Sequence, residues 1–120
     1  MTKALVVEDN SLNMQLAVDI LKSIGFIVEG AADGDEAIRK TETDTFDIIL
    51  MDIELPRMGG IEVLEKIKRK DAYKDITAIA LTAYAMKGDR ERFLSAGFDD
   101  YIPKPLDVPD FIRKMEKYRK

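Results

Sequence analysis

The chain has no cysteine and no histidine. Without cysteine there is no disulfide, no thiolate nucleophile and no sulfur-ligated metal. Without histidine there is no Ser-His or Cys-His catalytic pair and no imidazole-ligated zinc. No apolar run approaches the ~20 residues that a membrane helix needs. The first residues lack the apolar core and small-residue cleavage site of a secretory signal. A basic surface is missing too. The chain has 23 acidic against 19 basic residues and a net charge of −4, which argues against non-specific nucleic-acid binding. The expectation is a cytoplasmic protein that engages neither membrane nor nucleic acid. Carboxylates, hydroxyls, lysines and arginines remain for chemistry. A site built only of oxygen ligands suits hard cations, magnesium above all.

The 120 residues, 46% of them apolar, suit one domain with a real core. Apolar strand-like runs alternate with helical patterns. Strands are expected at about Lys3 to Val7, Phe26 to Gly30, Asp47 to Met51, Ile76 to Leu81 and Asp100 to Pro103. Helices are expected at about Ser11 to Ile24, Gly34 to Glu42, Gly60 to Arg69, Lys87 to Ala96 and Val108 to Tyr118. Asn10 or Ser11, Asp33 and Asp107 stand as N-caps, and Gly25 and Gly97 as stops. The inward stripes read as Leu16, Ile20 and Ile24 on the first helix, Ile61, Leu64 and Ile67 on the third, and Phe111, Met115 and Tyr118 on the fifth.

Strands and helices in strict alternation with short connections predict an α/β fold with a parallel sheet. Right-handed crossovers leave few topologies. The doubly wound order 2-1-3-4-5, flavodoxin-like with helices on both faces, puts the first and third strands side by side where the winding reverses. Ligands bind there, outside the carboxyl ends of the strands.

The charged residues fall at those ends. Glu8 and Asp9 follow the first strand and Asp52 the third, Thr82 closes the fourth, and Lys104 follows the last with Pro105 behind it. Each alone has an ordinary explanation: a partner for a helix dipole, a loop acid, a strand-end hydroxyl, a surface lysine. Together, at the ends of strands one, three, four and five, they point to a site for a divalent cation and a phosphoryl group.

The runs that carry these residues are Val6-Val7-Glu8-Asp9-Asn10, Leu50 to Gly60 (Leu-Met-Asp-Ile-Glu-Leu-Pro-Arg-Met-Gly-Gly), Ala80-Leu81-Thr82-Ala83 and Asp99 to Pro105 (Asp-Asp-Tyr-Ile-Pro-Lys-Pro). With them the chain resembles, over its whole length (residues 1–120), the receiver domains of two-component response regulators. The resemblance implies that Asp52 accepts a phosphoryl group from a histidine kinase or a histidine phosphotransfer protein. Glu8, Asp9, Asp52 and the backbone carbonyl of Glu54 would bind Mg2+. The Thr82 hydroxyl, the Ala83 backbone amide and the Lys104 ammonium would contact the phosphoryl oxygens. Thr82 and Tyr101 would form the switch, read by a protein target on the face of helix four, strand five and helix five. Glu54 and Tyr84 stand where the family varies, and would tune rates. The Lys104-Pro105 bond would be cis. On this reading the protein catalyses only its own phosphorylation and dephosphorylation.

A stand-alone regulator is the first expectation and a receiver excised from a hybrid kinase the second. An aspartyl-phosphate phosphatase would place a second aspartate where Glu54 stands. A flavodoxin-like electron carrier would need a Ser/Thr/Gly-rich loop after the first strand, which is not there.

Overall fold

Ile48, Ile49, Leu50 and Met51 form the buried spine of the third strand, and every side chain in it is cut off from solvent. A strand covered on both faces reads as a continuous apolar run, as this one does. Each such residue contributes roughly 1.5–3 kcal/mol by burial. In the computed structural model, which describes residues 1–83 and 88–119, this strand lies at the centre of a five-stranded sheet whose strands, numbered along the chain, stand in the order 2-1-3-4-5. All adjacent pairs are parallel.

The elements are β1 (Lys3–Val7), α1 (Ser11–Ser23), β2 (Ile27–Ala31), α2 (Gly34–Thr43), β3 (Ile48–Asp52), α3 (Gly60–Lys68), β4 (Thr77–Thr82), α4 (Asp89–Ser95), β5 (Asp100–Pro103) and α5 (Val108–Glu116). A short 3-10 turn, Asp71–Tyr73, precedes β4. The expected fold and strand order are therefore those observed. Asn10, Asp33 and Asp107 cap α1, α2 and α5 by accepting from the backbone amides of Asn13, Glu36 and Asp110. Gly25, at φ +101°, ends α1 in the left-handed region that side chains avoid.

Two cores flank the sheet. Ala17, Ile20 and Leu21 of α1 meet Phe111 and Met115 of α5 on one face. Ala37 of α2, Val63, Leu64 and Ile67 of α3, and Phe93 of α4 cover the other. Side chains of successive strand residues alternate between the two, so Leu5 and Val7 enter one core, Ala4 and Val6 the other.

One stripe assignment changes, and two others lie at the margin of their cores. Leu16 is 38% exposed, and Ala17 and Leu21 take its expected place in the core. At about 100° per residue, 17, 20, 21 and 24 share an arc of about 100°, and 16 lies about 90° from its centre, beyond its edge. On α3 the fully buried residues are Val63, Leu64 and Ile67, while Ile61 packs at the core's margin. Tyr118 lies past the end of α5 and is only partly buried. Strands β2, β3 and β4 each start and end one residue later than expected, so Asp52 and Thr82 are the last residues of their strands. The expected start of the fourth helix at Lys87 lies outside the described residues, and α4 begins at Asp89.

Candidate functional site

The carboxyl edge of the sheet gathers the charged residues. Register places Asp52 opposite Leu81 and Thr82 opposite Pro103, so β3, β4 and β5 end side by side. The chain is pinned there by backbone bonds from Ile53 N to Leu81 O, from Lys104 N to Thr82 O, and from Glu8 N to Ala31 O. The Lys104-Pro105 peptide bond is cis, as expected.

Glu8 and Asp52 are both buried, each about 2% exposed. Glu8, Asp9 and Asp52 each offer a carboxylate oxygen within 4.8 Å of the others. Asp9 remains open to solvent. Lys104 Nζ stands 3.2 Å from Glu8 Oε1 and 3.1 Å from Asp52 Oδ2. Backbone amides share the load: Asn10 N donates to Glu8 Oε2 at 3.1 Å, and Glu54 N donates to Asp52 Oδ1 at 2.9 Å.

Lys104 contacts two of these acids, Glu8 and Asp52. Burial, then the hydrogen-bonded neighbour Asp52, pushes the Glu8 carboxyl up to about 7. Burial acts to lower the Lys104 ammonium, yet its contacts with Asp52 and Glu8 outweigh that and raise it. A cluster in which burial and a neighbouring carboxylate keep one acid partly protonated near neutrality fits a divalent cation.

Glu54 adds a contact that spacing does not reveal. Its carboxylate crosses the mouth of the site. Oε2 accepts from the Thr82 hydroxyl at 2.9 Å, and Oε1 accepts from the Ala83 amide at 3.1 Å. Thr82 is fully buried. Tyr101 pairs with Ala80 in the ladder, two residues before Thr82, so Thr82 and Tyr101 are diagonal neighbours on the face that carries α4. The Tyr101 ring is partly buried, 6.2 Å from that of Phe93, with Lys114 Nζ 5.3 Å from its centroid. Tyr84 lies outside the described residues.

Two supports come from residues outside the expected site set. Gly60 lets α3 start directly beneath the site: a Cβ there would lie 2.3 Å from the Asp52 carbonyl oxygen and 2.9 Å from Met51 Cγ. Arg57 sits at φ +64° and reaches Asp33 Oδ2 at 3.0 Å. A non-glycine residue in that region costs roughly 1–2 kcal/mol, and the ion pair ties the loop after Asp52 to the cap of α2. The paired glycines Gly59 and Gly60 were the only visible signal of this close approach.

Fold and site together define a phosphorylation-activated signalling domain. The chain belongs to the family of response regulator receiver domains, whose model matches residues 4–116. It is similar to the polar-differentiation response regulator DivK of Brucella anthropi, at 42% identity over 95% of this chain and 93% of that protein. Among solved structures it resembles the receiver domain of a sensor histidine kinase from Pseudomonas aeruginosa, which has a magnesium ion coordinated in its active-site cleft. There the identity is 37% and the TM-score 0.86, over 98% of this chain and 96% of the other. It also resembles the response regulator TrrA of Thermotoga maritima, in complex with Mg(2+)-BeF, at 31% identity and a TM-score of 0.85, over 99% of this chain and all of that one. The chain is accordingly a switch of two-component signalling rather than a typical enzyme. Among the described residues, no helix is long and apolar enough to cross a membrane.

Proposed function

We propose that Asp52 is the phosphoacceptor and that Glu8, Asp9, Asp52 and the Glu54 carbonyl hold Mg2+. The observation that carries this is the acid cluster at the carboxyl edge of the sheet, with Glu8 and Asp52 buried and both held by Lys104. The donor is a phosphohistidine of a kinase or phosphotransfer protein. A carboxylate oxygen of Asp52 attacks phosphorus in line with the departing imidazole nitrogen. A P–O bond forms and the P–N bond breaks. The electron pair stays on the imidazole, which takes up a proton from solvent. The product is an acyl phosphate, which water later cleaves to phosphate and the free carboxylate.

Bound magnesium supplies positive charge that balances the acids and the incoming phosphoryl group. Lys104, held between Glu8 and Asp52, adds the charge that this chain itself can offer. The Thr82 hydroxyl and the Ala83 amide complete the set of donors. Apart from its own phosphorylation and hydrolysis, the protein turns nothing over.

Output is protein binding. Phosphorylation adds about −1.5 to −2 charge; Thr82 is drawn to it, and the Tyr101 ring resettles beside α4. The target docks on α4, β5 and α5. An open groove beside Tyr101, lined by Arg90, Asp100, Pro103, Lys114 and Lys117, supports this by offering mostly cationic contacts. The setting is the cytoplasm.

The test is labelling by a small acyl phosphate with and without magnesium, followed by borohydride reduction and mass mapping. Label on Asp52 alone, dependent on magnesium, is expected. Label elsewhere would sink the assignment. A phosphotransfer profile against candidate kinases then identifies the donor.

A further inference from the structure

We infer that the Glu54 carboxylate is a built-in competitor for the phosphoryl group, holding the same two donors that the phosphoryl oxygens need. The inference rests on the reading of Asp52 as phosphoacceptor and goes beyond it. A charged residue two positions after Asp52 could act merely by lying near the site. The geometry says more. Both oxygens of Glu54 are engaged, one by the Thr82 hydroxyl at 2.9 Å and one by the Ala83 amide at 3.1 Å. Those groups belong to the end of β4 and the residue after it, across the site from β3.

A carboxylate and a phosphoryl group present similar paired anionic oxygens. Glu54 therefore satisfies the donors in the resting state much as the phosphoryl group does in the active one. Its backbone helps to hold it there, because Glu54 N donates to Asp52 Oδ1 at 2.9 Å. The residue thus bridges nucleophile and donors, its amide on one and its carboxylate on the other.

Two consequences follow. Phosphorylation must displace the Glu54 side chain, so the fraction of molecules with free donors scales the apparent reactivity of Asp52. The displaced carboxylate also returns when the phosphoryl group leaves, which resets Thr82 without a separate conformational step.

The contact is tested first by the Ala83 amide resonance of the metal-free protein. In Glu54→Ala it should move upfield, as an amide does on losing a charged acceptor. The effect on chemistry is tested by the rate of labelling at saturating magnesium with acetyl phosphate. There a P–O bond to Asp52 forms as the bond between phosphorus and acetate breaks, and acetate departs with the electron pair. Giving up even one hydrogen bond to a charged group predicts labelling at least about tenfold faster in Glu54→Ala than in wild type. Glu54→Gln, which keeps an acceptor oxygen but no charge, should fall between them.

The same substitution in a Thr82→Ala background separates occupancy from repulsion at a distance. With one of the two donors gone, the gain from Glu54→Ala should shrink. An equal gain in both backgrounds would mean that Glu54 acts only through its field, and overturns the inference. So does labelling of Glu54→Ala at the wild-type rate. Absence of label at Asp52 in wild type would instead overturn the phosphoacceptor reading on which the inference rests.

Discussion

Lys104 Nζ lies 3.1 Å from Asp52 Oδ2 and is also the partner of Glu8, so one ammonium is divided between two buried carboxylates. The ion pair joins the ends of β3 and β5, with β4 between them. Removing the ammonium leaves both acids without their charge partner. Breaking such a buried pair from one side costs about 3–5 kcal/mol. Lys104→Ala is expected to lose up to that much stability in chelator. Magnesium should restore part of it, since it supplies charge to the same acids. Urea melts with magnesium and with chelator measure both terms. Equal losses in the two conditions would show that Lys104 contributes packing alone.

A second expectation concerns pH. The folded-state carboxyl of Glu8 titrates at about 7, above its ordinary value of 4.5. Between those values the folded chain binds a proton that the unfolded chain has lost. Stability therefore falls as pH rises from about 4.5 to 7. The absence of histidine leaves this window almost free of other titrating side chains. Without divalent ions, the urea midpoint should be lower at pH 7.5 than at pH 5.5, and Glu8→Gln should flatten the difference. A midpoint that rises over the same interval would mean that Glu8 is held as a well-compensated carboxylate.

The Tyr101 ring offers a third. It packs near Phe93 and beneath the Lys114 ammonium, on the same sheet face as Thr82. Its ring contacts are with Phe93 and Lys114, away from the acids of the cluster, so Tyr101→Ala should leave labelling of Asp52 largely intact while weakening the phosphorylation-dependent binding of the target. A parallel loss of both would make Tyr101 simply part of the core.

The sheet order and the strand-end residues were legible because they depend on order along the chain. Alternating strands and helices dictate a parallel sheet, and its carboxyl edge then collects Glu8, Asp9, Asp52, Thr82 and Lys104. Rotation about a helix axis was less so. Leu16 looked like part of the stripe, but the face that meets β1 and α5 is centred on Ala17 and Leu21. Side-chain reach was not legible at all. Nothing in the spacing of Glu54 and Thr82 says that a glutamate crosses to β4. Nor does the Gly-Gly pair say that the second glycine lies against the Asp52 carbonyl. Such contacts depend on rotamers and on backbone approach in three dimensions, which periodicity does not encode.

The fourth expectation separates a strained cluster from a structural acid. Asp52 shares its surroundings with Glu8 and Asp9, and Lys104 offsets only part of the repulsion. Each like-charge contact at ~4 Å costs roughly 4 kcal/mol at an effective dielectric near 20, and less once solvent screens it. Asn at this position can still accept from Glu54 N, as Asp52 Oδ1 does, while Lys104 is left to Glu8. Asp52→Asn should therefore be more stable than wild type in chelator, by about 1–3 kcal/mol. Magnesium should narrow the gap, because it binds the wild-type cluster better and stabilises only the folded form. The step assigned to Glu8 should also move to lower pH in this variant, since the neighbouring charge that helps to raise it has gone. If Asp52 instead served to hold the following loop, the substitution would lower the urea midpoint in chelator, and magnesium would make no difference.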